Sequence, residues 1–252
     1  MSPLSEVRAM AEVFWRRAGE VEPFPRTMQA AIMRALPLAI VLLPRLHLSS
    51  VERWLHQRHV PFRFPCENRR LHGCVVAYRG RGIIFADGTD GPGELRLTLA
   101  HEAAHFLVDY LQPREEALAR LGPAFADVLD GWREPTTQER VHAVLNHVHL
   151  GVYHNLIERR ADGQPTLSAI WDAEDRADRL ALELIAPAQA VLAQVDLSLS
   201  RYGQRHAAVV QRLIQTFGLP EDMADWYGRA LLRSVGKGLS WLEQLGLRTR
   251  CD

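Results

Sequence analysis

Between Leu95 and Leu111 the chain reads LRLTLAHEAAHFLVDYL, an apolar run that carries two histidines and a glutamate as His-Glu-x-x-His at His101, Glu102 and His105. No other stretch narrows the fold as much. Residues four apart share one face of a helix, so a helix here turns both imidazoles toward one point. Burying two imidazoles and a carboxylate in an apolar helix is costly unless they share a partner. A divalent metal fits that spacing. His101 and His105 serve as ligands, and Glu102, one position on, is placed to take a proton from a water at the open coordination position. The rival reading, two core histidines that happen to lie on a helix, leaves these groups without a partner.

Two histidines and a water leave a tetrahedral zinc one ligand short. The pattern HExxHxxGxxH would need Gly at 108 and His at 111, but Val108 and Leu111 stand there. A second helix can supply the ligand instead. In EDRADRLALELIAP, Glu174, Ala177, Asp178 and Ala181 fall on one face, and the alanines allow close docking against Ala103 and Ala104. Glu174 then completes the site for one zinc ion per chain. Asp178, one turn on, accepts the outer N–H of a ligand histidine. The rival for this pair is a solvated face in which Glu174 and Asp178 bond to Arg176 or Arg179.

The rest of the chain was read for what could carry such a site. Its 252 residues suffice for one large domain or one domain with an appendage. Lys plus Arg equals Asp plus Glu at 30 each, so no bulk positive field points to nucleic acid. Cys66, Cys74 and Cys251 form no CxxC pair, which suits a reducing compartment. The first residues, MSPLSEVRAM, have no apolar signal core, and the greasiest run, ALPLAIVLLP, falls short of the ~20 residues a bilayer needs. The expectation is a soluble cytoplasmic protein with no membrane contact.

The expected fold is α+β and mostly helical. CVVAYRGRGIIFADG at 74–88 predicts a hairpin, VPFRF at 60–64 a strand, and LAIVLL at 38–43 either a strand or a buried helical turn. Ser49 three residues before Glu52, and Thr136 three before Glu139, read as capping boxes, the second opening a helix to about 159. The motif helix is expected over about 95–111, ending before Pro113. Three segments follow: a helical one at 1–48, a metal-site core at 49–190 with a helical insert at about 112–165, and a helical one at 191–252.

These residues carry a resemblance. LRLTLAHEAAHFLVDY followed by EDRADRLALELIAP resembles the ImmA/IrrE family of metallopeptidases, within the gluzincin group, over about residues 49–190. The resemblance implies a zincin-like core with a small sheet beside the His-Glu-x-x-His helix. It assigns His101, His105 and Glu174 as zinc ligands, Glu102 as the base and Asp178 as the neighbour of a ligand. It implies a cytoplasmic zinc endopeptidase that cleaves a helix-turn-helix repressor and so relieves repression of mobile-element or stress-response genes. Two departures stand out: the 69 residues from His105 to Glu174, and LIAP where the family has LLMP. The long span suggests an inserted lid or substrate platform. An extended substrate is expected to pair with the hairpin at Ile83, Ile84, Phe85 and Ala86.

Other residues admit weaker readings. His147, His154 and Glu158 can bind metal, can stabilise the oxyanion formed on peptide attack, or can sit as half-buried polar groups of a helix, and the last is preferred. Cys66, His72 and Cys74 lack a fourth zinc ligand. TFGLPEDMADWYG can form a helix-turn-helix, with helix packing the preferred role. The alternative function is a DNA-binding or protein-interaction regulator whose metal is structural, and the neutral charge argues against direct nucleic-acid binding.

Overall fold

The hairpin read from residues 74–88 forms, and it is the centre of a four-stranded sheet in the computed structural model, which describes residues 3–19, 23–60, 62–146, 148–158 and 168–239. Strands β2 (Leu71–Tyr78) and β3 (Arg81–Asp87) run antiparallel, with Val75 opposite Ile84. Arg79 and Gly80 turn between them with φ of 53° and 74°, the left-handed pair that a two-residue hairpin turn requires. LAIVLL is a strand, β1 (Leu38–Leu43; numbered in chain order), parallel to β3. A fourth strand, β4 (Tyr153–Glu158), pairs antiparallel with β2, so the order is β1-β3-β2-β4. The fold is α+β and mostly helical.

Each face of this mixed sheet is covered by helix. Cys74, Val76 and Phe85 point to one side, into a core with Leu46, Phe64 and the buried Leu48, Val51 and Leu55 of α3 (Leu48–His56). The opposite row, Gly73, Val75 and Ala77, faces α4 (Pro92–His105), the motif helix. This approach is close because small residues line it. A Cβ on Gly73 would stand 2.5 Å from Thr98 Cγ2, and one on Gly82 2.7 Å from Leu38 and 2.9 Å from Phe106. Ahead of the sheet, α1 (Pro3–Ala18) and α2 (Met28–Ala35) pack together, and α2 also packs on α4.

Four local expectations are corrected. The motif helix does not stop before Pro113. Residues Phe106–Leu111 form a π turn, with the Gln112 N–H bonded to Leu107 O, and the helix continues as α5 (Gln112–Leu121). In a regular helix the proline ring would strike the carbonyl of Asp109, four residues back; the wider turn removes that clash without ending the helix. The described residues of VPFRF, 60 and 62–64, form no strand: the Phe64 N–H bonds the Glu52 carboxylate at 2.8 Å instead of a neighbouring strand. Glu52 is thereby diverted from the Ser49 capping box, and α3 starts after His47 with no side-chain cap. Finally, the helix opened by Thr136 and Glu139 has its capping box but ends at Leu145 as α7 (Thr137–Leu145). After Gly151, whose φ is 89°, the chain is β4.

The insert is therefore not wholly helical. Between α5 and α7 lie a 3-10 turn at Pro123–Phe125 and α6 (Ala126–Leu129), after a break at Gly122. It has its own small core of Ala117, Phe125, Val128, Leu129, Ala143 and Val148. The hairpin end holds it: the Tyr78 hydroxyl donates to Asp130 O at 3.0 Å, and the Arg79 guanidinium lies 3.7 Å above the Trp132 ring.

The chain divides into two compact units, residues 1–22 with 27–184, and residues 23–26 with 185–252. Segment 1–48 therefore contributes β1 to the sheet of the first unit. That unit also holds nearly all of α8 (Ser168–Ile185). The second unit contains α9 (Ala188–Leu192), α10 (Tyr202–Gln215) and α11 (Glu221–Ser234). There α10 and α11 form a helical hairpin, turned at Gly218 (φ 68°), with Val209, Leu213, Leu231 and Leu232 buried. Among the described residues no helix is long and apolar enough to cross a membrane.

Candidate metal centre

The site is built where α4 meets β2. Thr98 through His105 are buried without a break, because the glycine and alanine row of the sheet lets the helix settle onto it. His101, Glu102 and His105 are consequently inside the protein, at 5%, 0% and 1% exposure. Glu174 and Asp178 come from α8, one turn apart, and Ala177 and Ala181 on the same face are buried.

The distances define a triad. His101 Nε2 and His105 Nε2 are 2.9 Å apart, and the Glu174 carboxylate lies 3.2 Å from the first and 3.5 Å from the second. Each imidazole is fixed from behind. His101 Nδ1–H donates to Asp178 at 2.8 Å, and His105 Nδ1–H donates to Asp109 at 2.6 Å. Arg176 of α8 donates to the other oxygen of Asp109 at 3.1 Å. With each Nδ1 carrying a proton, both Nε2 atoms and the Glu174 carboxylate converge on one point, where a cation would replace the proton that otherwise links them. A tetrahedral zinc with ~2.0–2.1 Å ligand bonds has ligand–ligand edges of about 3.3 Å, which the observed 2.9, 3.2 and 3.5 Å bracket. His101, His105 and Glu174 thus form a triad that could hold a metal ion.

The electrostatics follow from this packing. Burial alone would push the His101 imidazole down, but its bonds to Asp178 and Glu174 lift it to about 10. Burial likewise opposes ionisation of Glu174, and the two histidines overcome it, holding the carboxyl well below its ordinary range. Glu102 is different. Burial raises it to about 7, against the pull of both histidines. The Val75 N–H lies close enough to favour the ionised form, yet neither Glu102 oxygen completes a hydrogen bond. A buried carboxylate with both oxygens open, beside a three-ligand metal site, has the placement of a proton acceptor.

The structure brings five sequence-derived residues together: His101, Glu102, His105, Glu174 and Asp178. It does not bring Ile83, Ile84, Phe85 and Ala86 into reach of an extended substrate. β3 is an inner strand, hydrogen-bonded to β1 on one side and β2 on the other, so its backbone has no edge to offer. The open edge beside the site belongs to β4, which pairs only with β2 among the described residues. His154 turns to the other face of the sheet, 5.5 Å from the rings of Phe62 and Phe64. His147 lies outside the described residues. Cys66, His72 and Cys74 do not gather: His72 bonds Asp90 at 2.7 Å, Cys66 is exposed and Cys74 is in the core.

Three site residues escape a reading of the sequence alone. Asp109, four positions after His105 in an apolar run, could have been found by the same spacing that links the histidines. Tyr153 and Asn155 could not, because their segment reads as helix. Opposite Ala77 and Val75 on β2, they project onto the α4 side of the sheet. The Tyr153 ring stacks on Tyr110 with centroids 5.7 Å apart, and the charges of Asp109, Glu102 and Glu174 reach it. The Asn155 side-chain nitrogen is buried without a partner. No family model matches this chain, and no curated protein matches it.

Proposed function

We propose that this protein is a zinc-dependent endopeptidase of the gluzincin kind, with the ImmA/IrrE family as its model. The observation that supports this best is the pairing of a preset three-ligand cluster with Glu102, a buried carboxylate whose two oxygens have no hydrogen bond. Two imidazoles and a carboxylate at near-tetrahedral spacing suit zinc. A metal that only held the fold together would not need an ionisable, unbonded carboxylate at its side, and this favours the hydrolase over the regulator with a structural metal. The repressor substrate and the cytoplasmic setting come from the resemblance of the two motifs.

Zinc bound by this triad supplies a Lewis acid that acidifies a water toward pKa ~7. The other steps belong to the chain's own residues. Asp178 and Asp109 hold the imidazoles in the Nδ1–H form, so Nε2 faces the metal. Glu102 accepts a proton from the attacking water and later gives it to the leaving amine nitrogen. An extended substrate pairs with the open edge of β4, the only strand edge next to the site among the described residues.

Glu102→Gln tests the reading, since it keeps size and removes the acceptor. Turnover of a co-expressed helix-turn-helix repressor should fall by ~10²–10⁴-fold while zinc content and melting temperature hold. Undiminished cleavage by the zinc-loaded variant rules out Glu102 as the base. A wild-type protein that is purified without metal and cannot be loaded rules out the class.

A further inference from the structure

Glu102 is not the only buried polar group at this site that lacks a partner. The Asn155 side-chain nitrogen is buried and unbonded, and it stands on β4 opposite Val75, whose N–H lies beside the Glu102 carboxylate. Two residues earlier on the same face is Tyr153, whose ring is buried and which feels the charges of Asp109, Glu102 and Glu174. So one wall of the site carries an unbonded carboxylate, and the edge strand carries the Asn155 amide and the Tyr153 hydroxyl. A buried donor without an acceptor is costly, and native proteins rarely keep one without a use. Together these groups complement a molecule that brings an oxygen for the donors and a proton for the acceptor. A peptide carbonyl with an attacking water is such a pair.

We propose that Asn155 Nδ2–H and Tyr153 Oη–H donate from the edge strand to the oxygen of the scissile carbonyl as it becomes tetrahedral. This rests on the hydrolase reading above. Water oxygen bonds to the carbonyl carbon, and the C=O π pair moves onto the oxygen, where Asn155 and Tyr153 hold the negative charge. Glu102 carries the water's proton to the nitrogen. The C–N bond then breaks and the carbonyl re-forms. Donors fixed in a buried site before the charge develops need no reorganisation, which is the physical basis of oxyanion stabilisation. Tyr153 is held for this by its stack on Tyr110 and by the His149 ring, 4.7 Å away edge-on. Asn155 is held by strand pairing with Val75. The strand alternation gives the two residues one shared face and sends His154 between them to the other.

The test uses the full chain loaded with zinc, and a blocked dipeptide phosphinate, whose tetrahedral P–O⁻ stands in for the oxyanion. Calorimetry gives the phosphinate Kd for the wild type, Asn155→Ala, Asn155→Asp and Tyr153→Phe. Competition with a chromophoric chelator gives zinc affinity, and a thermal melt gives stability. Each variant should weaken the phosphinate by about 10-fold or more with zinc affinity unchanged, and Asn155→Asp, which sets a carboxylate against the P–O⁻, by the most. Tyr153→Phe keeps the ring and its stack on Tyr110, so a packing role would leave the phosphinate Kd where it was. Asn155→Asp serves if Asn155→Ala fails to fold. Wild-type binding with equal binding by all variants overturns the donor pair and leaves the hydrolase intact. Loss of phosphinate in step with loss of zinc also overturns it. No phosphinate binding by the zinc-loaded wild type sinks the hydrolase reading, and the donor pair with it.

Discussion

Gly73→Ala isolates the contact on which the site's geometry depends. The added methyl would stand 2.5 Å from Thr98 Cγ2 and 3.3 Å from both Cγ and Oε1 of Glu102. Carbon atoms rest at ~3.5–4.0 Å, so α4 must retreat from β2 by on the order of 1 Å or the strand must bend. Forcing a methyl into a packed interior costs ~1–3 kcal/mol, and alanine recovers up to ~1 kcal/mol by stiffening the unfolded chain relative to glycine. A net loss of about 1–2 kcal/mol corresponds to a melting temperature lower by roughly 2–8 °C in a protein of this size. The effect should extend to function, because His101 and Glu102 follow Thr98 by one turn and a ~1 Å misplacement of catalytic groups can cost ~10²-fold in rate. Thermal melts of Gly73→Ala, Thr98→Ser and the double variant read the contact directly, since Thr98→Ser deletes the colliding Cγ2. The double variant should regain about 1 kcal/mol or more over the sum of the singles. Gly73→Ala as stable as wild type, or simple additivity in the cycle, refutes the claim that this glycine sets the helix-to-sheet spacing.

Two further outcomes are expected. Glu174→Ala should lower zinc affinity by well over tenfold in a chelator competition, because two imidazoles alone hold zinc poorly; retention of metal assigns the third ligand elsewhere. Asp87 is fully buried at the end of β3, and although burial opposes its ionisation, bonds from Thr89, Arg45 and Arg70 lower its pKa from 3.8 to about 2. With the folded value depressed, its contribution of about 2 kcal/mol is present above pH ~4 and is lost as pH falls through the folded pKa. Denaturant titrations should therefore show a gap between wild type and Asp87→Asn that is about half gone by pH 3, and a gap independent of pH would remove the carboxylate's charge as its source.

What could be read from the sequence was what depends on one helix. The four-residue step from His101 to His105 and the Glu174, Ala177, Asp178 face of α8 each obey a local period, and the polar groups of the two helices lie 2.8–3.5 Å apart where they meet. What could not be read depends on partners far along the chain. YHNLIE becomes a strand because β2, some 76 residues earlier, offers it an edge, with Tyr153 opposite Ala77. Phe64 lies in a segment with the residues of a strand, but its N–H is taken by Glu52 rather than by a neighbouring strand. The expectation of a substrate edge on β3 fails for the same reason: β3 is rich in strand-forming residues, yet a strand is inner or outer only in relation to its neighbours. The motif helix was ended at Pro113 by a rule about regular helices, and the π turn is how this chain escapes that rule.

The π turn also bears on how the insert can move. A lid needs a hinge, a short stretch that absorbs large changes in φ and ψ. At the leading end of the insert there is none, since α4, the π turn and α5 run from Pro92 to Leu121 as one rod, and the histidine ligands lie on that rod. Any load placed on α5 is borne by the same backbone that carries His105 and Asp109. On this side the insert is mounted like a bracket, rigidly tied to His101 and His105, and under the proposed function it fits a platform on which a folded substrate rests better than a flap that closes over one.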